Sequence, residues 1–149
     1  PADWTGRTIL RFEASYYNTL VFVNGKPVGS HKGGYTPFSF DITNYIEDGK
    51  ATILVHVDGD ARDKTQPSGK QSALRKSFGC FYTRTTGIWQ TVWLENVPEV
   101  YLEKYKVTPD VDNSRAYVDL YFDREGFKEV KTEKRKRSLR SFCLAELLV

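Results

Sequence analysis

The densest run of chemically capable side chains lies between residues 58 and 84, where Asp58, Asp60 and Asp63 are followed by Lys64, Lys70, Gln71, Cys80, Tyr82 and Arg84. Carboxylates at this spacing raise the possibility of a calcium loop, because a hard cation takes oxygen ligands from closely spaced positions. The helix-loop-helix calcium pattern fails, since Arg62 stands where a ligand is required and no glutamate closes the loop, and a solvated acidic turn is the better reading. His31 and His56 have neither a cysteine nor a second histidine at ligand spacing, so they read as ordinary surface or core residues. Cys80 and Cys143 allow at most one bridge and cannot form a four-ligand zinc site. No metal and no cofactor is implied.

Trp89 and Trp93, four residues apart on one expected strand, would share a face and read as core or interdomain packing residues in preference to a carbohydrate platform. Gly33, Gly34 and Gly87 suit positive φ or close backbone approach better than ligand binding. These groups sit in a chain of 149 residues, enough for about one domain and too short for a catalytic barrel of ~250 residues. With 40% hydrophobic, 28% charged and 14% aromatic residues the composition is globular. No run approaches the ~18 apolar residues of a membrane span, so neither a membrane protein nor a disordered chain is expected. No secretory signal is visible, and the chain starts at Pro1 without any methionine, a start that reads as processed or cut. The compartment stays open: periplasmic, extracellular and cytoplasmic locations all fit.

Charge is unevenly spread. Residues 1–123 carry 14 Lys and Arg against 15 Asp and Glu, whereas residues 124–149 carry 8 against 4, so the net +3 belongs to the tail. A nucleic-acid binder needs a basic stripe across its folded body, and this body is nearly neutral. The run Lys134–Arg137 looks like a polyanion patch in isolation, and residues 138–149 could form a short helix with Leu139, Phe142, Cys143 and Leu147 on one side.

The elements that must hold these residues are strands. Short β-rich runs recur with turn signals every 8 to 12 residues or so, the pattern of a sandwich or barrel, and no long helix is expected before residue 124. Thr8 to Ala14 alternates, with Leu10, Phe12 and Ala14 facing a core; Thr19 to Val23 leads into Asn24-Gly25, a tight hairpin signal, and Pro27 to Ser30 returns as an edge strand. Phe38, Phe40 and Ile42 mark a half-buried strand; Thr43 reads as the N-cap of a helical turn ended by Gly49; Ala51 to Val57 has the apolar density of a central strand. Asp58 to Phe78 is a long polar loop, of a length usually functional when ordered. Strands are expected at Cys80–Thr83, Gly87–Glu95 and Glu99–Val107, the last ending in a Thr-Pro-Asp turn, and a new β unit begins at Ala116 to Phe122.

The ordered series Phe12-Glu13-Ala14-Ser15-Tyr16-Tyr17, Val23-Asn24-Gly25-Lys26, Gly33-Gly34-Tyr35-Thr36-Pro37-Phe38, Phe40-Asp41-Ile42-Thr43 and Gly87-Ile88-Trp89-Gln90-Thr91-Val92-Trp93-Leu94-Glu95 resembles the sugar-binding domain of glycoside hydrolase family 2, which includes β-galactosidases and β-glucuronidases. The resemblance covers roughly residues 3 to 97 and more loosely reaches 122. It implies an all-β, galactose-binding-like jelly-roll sandwich over residues 1–105 with its first strands missing, the start of an immunoglobulin-like unit over 106–123, and a basic tail of uncertain origin over 124–149. Since the pattern stops there, that tail reads as a truncated or frame-altered product.

The resemblance further implies a parent enzyme that hydrolyses O-glycosyl bonds with two carboxylic acids about 5 to 5.5 Å apart. Both would lie in a separate barrel, so this chain carries no catalytic residue and is expected to be inactive alone. Loops of such a domain reach toward the barrel mouth. In the loop and the segment after it, Asp63, Lys70, Gln71, Tyr82 and Arg84 supply the aromatic, hydrogen-bonding and charged groups that sugar sites use. The expected partners are a carbohydrate substrate met through the barrel, the parent's own domains, and a second copy of the chain where missing strands leave a sheet edge open; neither nucleic acid nor membrane is expected. The alternative reading is a free-standing carbohydrate-binding module without hydrolase activity.

Overall fold

The computed structural model describes residues 3–124. In chain order its strands are β1 (Arg7–Phe12), β2 (Ser15–Tyr16), β3 (Asn18–Val23), β4 (Lys26–Lys32), β5 (Phe38–Asp41), β6 (Ile53–Asp58), β7 (Gly87–Ile88), β8 (Val92–Val97), β9 (Leu102–Asp110) and β10 (Arg115–Phe122), with one 3-10 turn at Thr43–Tyr45. The described residues are thus all-β, as the periodicity implies. The chain divides into two compact units, Pro1–Asn96 and Val97–Val149. The basic stretch after Arg124, with its expected helix at 138–149, lies outside the described residues.

In the first unit β1 runs between β5 and β8, and β3 runs between β4 and β6. Alternation puts Leu10 and Phe12 on one face of β1 and Val21 and Val23 on one face of β3. These four and Ile42 form a buried cluster, ringed by Val28, Phe38, Phe40, Tyr45, Ile46 and Val55. Two inner sheet faces that interdigitate in this way make a sandwich. Ile9, on the opposite face of β1, is buried as well. Phe38, paired opposite Phe12, stacks on it with centroids 4.7 Å apart.

The Asn24-Gly25 hairpin forms as expected. Asn24 and Gly25 have φ of 49° and 77°, the mirror-image turn that matches strand twist. The Asn24 side chain also ties the turn down, donating to the Tyr45 carbonyl at 2.9 Å and accepting from the Thr52 amide at 2.8 Å. β4, with Pro27 and Gly29, is the sheet edge its composition suggests.

Other expectations are corrected. Thr43 is not the N-cap: its hydroxyl accepts from the Thr8 amide and donates to Asp41, and it is the Asp41 carboxylate that accepts the Thr43 amide. An aspartate two residues back performs the turn-initiating role more strongly than a hydroxyl. β6 is not central among the described residues, since it pairs with β3 only and leaves Leu54 62% exposed. Cys80–Thr83 forms only isolated bridges, Gln71 with Tyr82 and Phe78 with Phe81, because Gly79 at φ 51° turns the chain back on itself. Thr108-Pro109-Asp110 lies inside β9, and the turn falls at residues 111–114.

Gly87 to Glu95 is two strands, not one. β7 pairs with β2 while β8 pairs with β1, so the crossing chain breaks where the first run breaks, at Glu13-Ala14. Two backbone bonds bridge the paired breaks: Glu13 N–H to the Thr91 carbonyl and Trp89 N–H to the Ala14 carbonyl. Trp89 therefore stands outside the regular strand that carries Trp93, and the two indoles, 40% and 38% exposed, are not core residues.

In the second unit β9 and β10 form an antiparallel hairpin, with Leu120 opposite Tyr105 and Val118 opposite Val107.

Candidate functional site

Two concavities in the first unit share the wall formed by Tyr35 and Trp89. The first is a cavity of about 210 Å3 lined by Tyr16, Tyr35, Gln71, Tyr82, Thr85 and Trp89. The second is an open groove of about 340 Å3 bordered by Glu13, Tyr35, Pro37, Trp89, Gln90 and Trp93. The shared wall is rigid for local reasons. Trp89 donates its indole N–H to the Gly34 carbonyl at 2.9 Å, and its ring meets Tyr35 edge-on at 5.9 Å. Tyr35 in turn meets Tyr16 edge-on at 6.2 Å. Aromatic pairs prefer this geometry, which sets electropositive ring edges against electron-rich faces.

Tyr16 is the anchor beneath them, 1% exposed. Its ring fits because glycines flank it: a Cβ added to Gly34 would lie 2.4 Å from one ring edge, and one added to Gly59 would lie 2.8 Å from the other. The Tyr16 hydroxyl has no hydrogen-bond partner among the described residues. Burial raises its pKa, helped by Tyr35, Tyr17, Asp60 and Asp63. It therefore stays protonated and can both donate and accept a hydrogen bond.

Gln71, 6% exposed, holds the loop against this wall. Its side-chain carbonyl accepts from the Thr85 amide at 2.7 Å, and its amide donates to the Tyr35 hydroxyl at 3.5 Å. Backbone bonds join the same segments, from the Ser72 amide to the Tyr82 carbonyl and from the Tyr82 amide to the Lys70 carbonyl. Above the cavity the Tyr35 and Tyr82 hydroxyls converge, lying 3.2 and 3.7 Å from the point a Cβ of Gly69 would occupy. Two phenols and an amide around an apolar hollow can hydrogen-bond a polyhydroxylated ligand while packing its C–H faces.

Of the residues singled out in the sequence, the structure brings Gln71 and Tyr82 together in the cavity. Asp63, Lys70 and Arg84 lie outside its lining. Asp63 is occupied by its own loop, accepting from the Thr65 amide at 2.9 Å, the Thr65 hydroxyl at 2.8 Å and the Gln66 amide group at 3.2 Å; these bonds lower its pKa. Asp60 is held two-pronged by Arg62, with contacts of 3.0 and 2.9 Å, and its pKa falls to about 2, mainly through those Arg62 bonds with Arg84 contributing nearby charge. Lys70 is exposed and Arg84 half-buried. Among the described residues no group of three or more His, Cys, Asp or Glu could hold a metal ion. His31 stacks on Phe38 at 4.1 Å, and burial lowers its pKa, so it acts as a packing ring. Sequence reasoning missed Tyr16, Tyr35 and Thr85 as lining residues. The available signal was glycine at 34 and 59, each of which marks close approach of another group.

Comparison with known proteins gives these features a family. Residues 1–98 match the family description "Glycosyl hydrolases family 2, sugar binding domain". A β-galactosidase from Thermoanaerobacter pseudethanolicus is 34% identical over 116 residues, covering 76% of this chain and 15% of that protein. A β-glucuronidase from Rattus norvegicus is 28% identical over 153 residues, covering 91% of this chain and 24% of its own length. Among solved structures, the Bacteroides uniformis β-glucuronidase superposes with a TM-score of 0.55 at 29% identity, over 73% of this chain and 13% of that one. The chain therefore spans only a small part of the length of the proteins it matches.

Proposed function

The chain belongs to glycoside hydrolase family 2 through its sugar-binding domain, and from that premise we propose that it serves a larger β-glucuronidase- or β-galactosidase-type hydrolase as a non-catalytic jelly-roll domain whose Gln71–Tyr82 cavity borders the substrate pocket. The observation that carries this reading is the convergence of Tyr35, Gln71 and Tyr82 around one cavity that Tyr16 helps to line. Catalysis belongs to carboxylates elsewhere in the parent. Asp63, Lys70 and Arg84 then act at the edge of the loop, through charge, and not in the cavity itself.

The same reading divides the chain into the sugar-binding domain at 1–105, the opening of an immunoglobulin-like unit at 106–123 and the basic tail. It also gives β6, which has one neighbouring strand among the described residues, a role in pairing with a parent domain or a second copy. Size-exclusion chromatography across a wide concentration range tests the second copy, and a clean monomer throughout argues against it.

The functional test has two arms. The 149-residue chain is assayed on chromogenic β-glucuronide and β-galactoside, where no turnover proportional to its concentration is expected. The full-length parent is then assayed with Tyr82→Ala. The expected result is a kcat/KM lower by about tenfold, equivalent to ~1.4 kcal/mol of lost transition-state binding. Turnover by the chain itself, or an unchanged parent, overturns the proposal.

A further inference from the structure

We propose that the open groove on the far side of the Tyr35–Trp89 wall is a second carbohydrate site, taking one neutral β-pyranoside ring with its apolar face on Trp93 and Trp89. This goes beyond the cavity reading and does not depend on it. Both residues are exposed, at 38% and 40%. The backbone under both rings is fixed before any ligand arrives, and the Trp89 ring itself is held. Trp93 rides on β8, beside β1, and Arg11 on β1 pairs with Glu95 two residues along β8. Trp89 is held by its own amide to Ala14, by its indole N–H to Gly34 and by the edge of Tyr35. A rigid platform loses little entropy when a ring settles on it.

The polar rim completes the recognition chemistry. Glu13 presents an exposed carboxylate that accepts hydrogen bonds, and Gln90 offers both a donor pair and an acceptor. Their backbones are tied by the Glu13–Thr91 bond, which fixes the rim relative to the platform. Apolar planes flanked by a carboxylate and an amide match a pyranose, whose C–H groups face one way while its equatorial hydroxyls point outward. At about 340 Å3 the groove is near the lower end of ligand-site volumes, large enough for a single sugar ring.

Charge sets the preference. Glu13 is the one charged residue among those lining the groove, so a uronate placed there meets repulsion where a hydroxyl finds an acceptor. At a separation near 4 Å in water this discriminates by about fivefold. The groove therefore selects neutral hexosides over uronides.

The test is a titration of the 149-residue chain with methyl β-galactopyranoside, methyl β-glucopyranoside and methyl β-glucuronide, read by tryptophan fluorescence and saturation-transfer NMR. Neutral glycosides are expected to bind with a Kd of about 1–10 mM and the glucuronide about fivefold more weakly. Trp93→Ala should weaken neutral binding at least tenfold. Trp93→Phe, which keeps a ring and protects the fold, should weaken it by about threefold with the melting curve retained. Glu13→Gln should bring the glucuronide level with the neutral sugars, and Tyr82→Ala should leave groove binding unchanged. Absence of neutral-sugar binding at about 50 mM overturns the proposal. So does binding that Trp93→Phe and Glu13→Gln leave untouched. Binding abolished by Tyr82→Ala but insensitive to both groove variants places the sugar in the cavity instead, which supports the cavity reading and sinks this one.

Discussion

The fit of the Tyr16 ring between Gly34 and Gly59 makes a sharp prediction, because the two glycines press on opposite edges of one ring. A Cβ at Gly34 would stand 2.4 Å from Cδ2 and 3.0 Å from Cε2 of Tyr16, against the ~3.5–4.0 Å of ordinary carbon contact. Gly34→Ala must therefore push a fully buried ring about 1 Å toward Gly59, and overpacking of this kind costs about 1–3 kcal/mol. Gly59→Ala belongs at the upper end of that range, since its Cβ meets Cδ1 at 2.8 Å and also the Tyr16 carbonyl oxygen and Tyr17 nitrogen at 3.0 Å, and backbone cannot swing away. For a unit of this size each kcal/mol lowers Tm by about 4–8 °C. Each single variant relieves its strain by moving the ring into the space the other glycine leaves. The double variant has no such escape, and its cost should exceed the sum of the singles by about 1 kcal/mol. Urea unfolding followed by far-ultraviolet circular dichroism and tryptophan fluorescence measures all three at constant m. Gly29→Ala is the control: its Cβ meets Phe40 at 2.4 Å, but that ring is only half-buried and can turn outward, so the loss should be smaller. Additivity of the two singles, or a Gly34→Ala chain as stable as the parent, refutes the account of the Tyr16 slot.

Individual contacts set three further outcomes. Asn24→Ala loses the bonds to Tyr45 and Thr52 and forces a non-glycine, non-asparagine residue into φ 49°, so it should cost about 2–3 kcal/mol, and Asn24→Gly, which loses the same bonds but escapes the strain, about half as much in thermal unfolding. Gln71→Ala leaves the half-buried Thr85 amide without its acceptor and should cost about 1 kcal/mol, with faster hydrogen exchange at Thr85. Burial alone would raise the Asp41 pKa, but the Thr43 hydroxyl and amide and Arg7 outweigh it and hold it below the usual carboxylate value. A lowered folded pKa means that this carboxylate stabilises the fold above the unfolded value, about 4, and that the contribution disappears as pH falls through the folded pKa. Asp41→Asn should flatten the acid limb of a stability-against-pH curve below about pH 4 while leaving its shape near neutrality unchanged.

What can be read from the sequence, and what cannot, divides along the range of the interactions involved. The Asn24-Gly25 turn is legible because the φ requirement and its solution occupy two adjacent residues. The inward faces of β1 and β3 are legible because alternation is a local record of which side meets the core. Thr43 misleads because its local signal, a hydroxyl before a helical turn, also suits a residue whose hydroxyl is claimed by Asp41 and Thr8, the latter 35 residues away. The Gly87–Glu95 run looks continuous because nothing within it shows that its halves pair with different partners; the break is dictated by Glu13 and Ala14, far back in the chain. The same limit explains the candidate site. Gln71 and Tyr82 are visible as types suited to sugar chemistry, yet their partners Tyr16 and Tyr35 come from the first strands and the turn after β4, and side-chain type says nothing about which loops meet. Tryptophans at 89 and 93 read as packing residues for an equally physical reason, since large aromatics are usually buried. The break in the strand takes Trp89 out of the regular ladder, and it borders one groove together with Trp93 and Glu13. A pair that local pattern assigns to core or interdomain packing thus stands, once the long-range pairing is known, along one open groove.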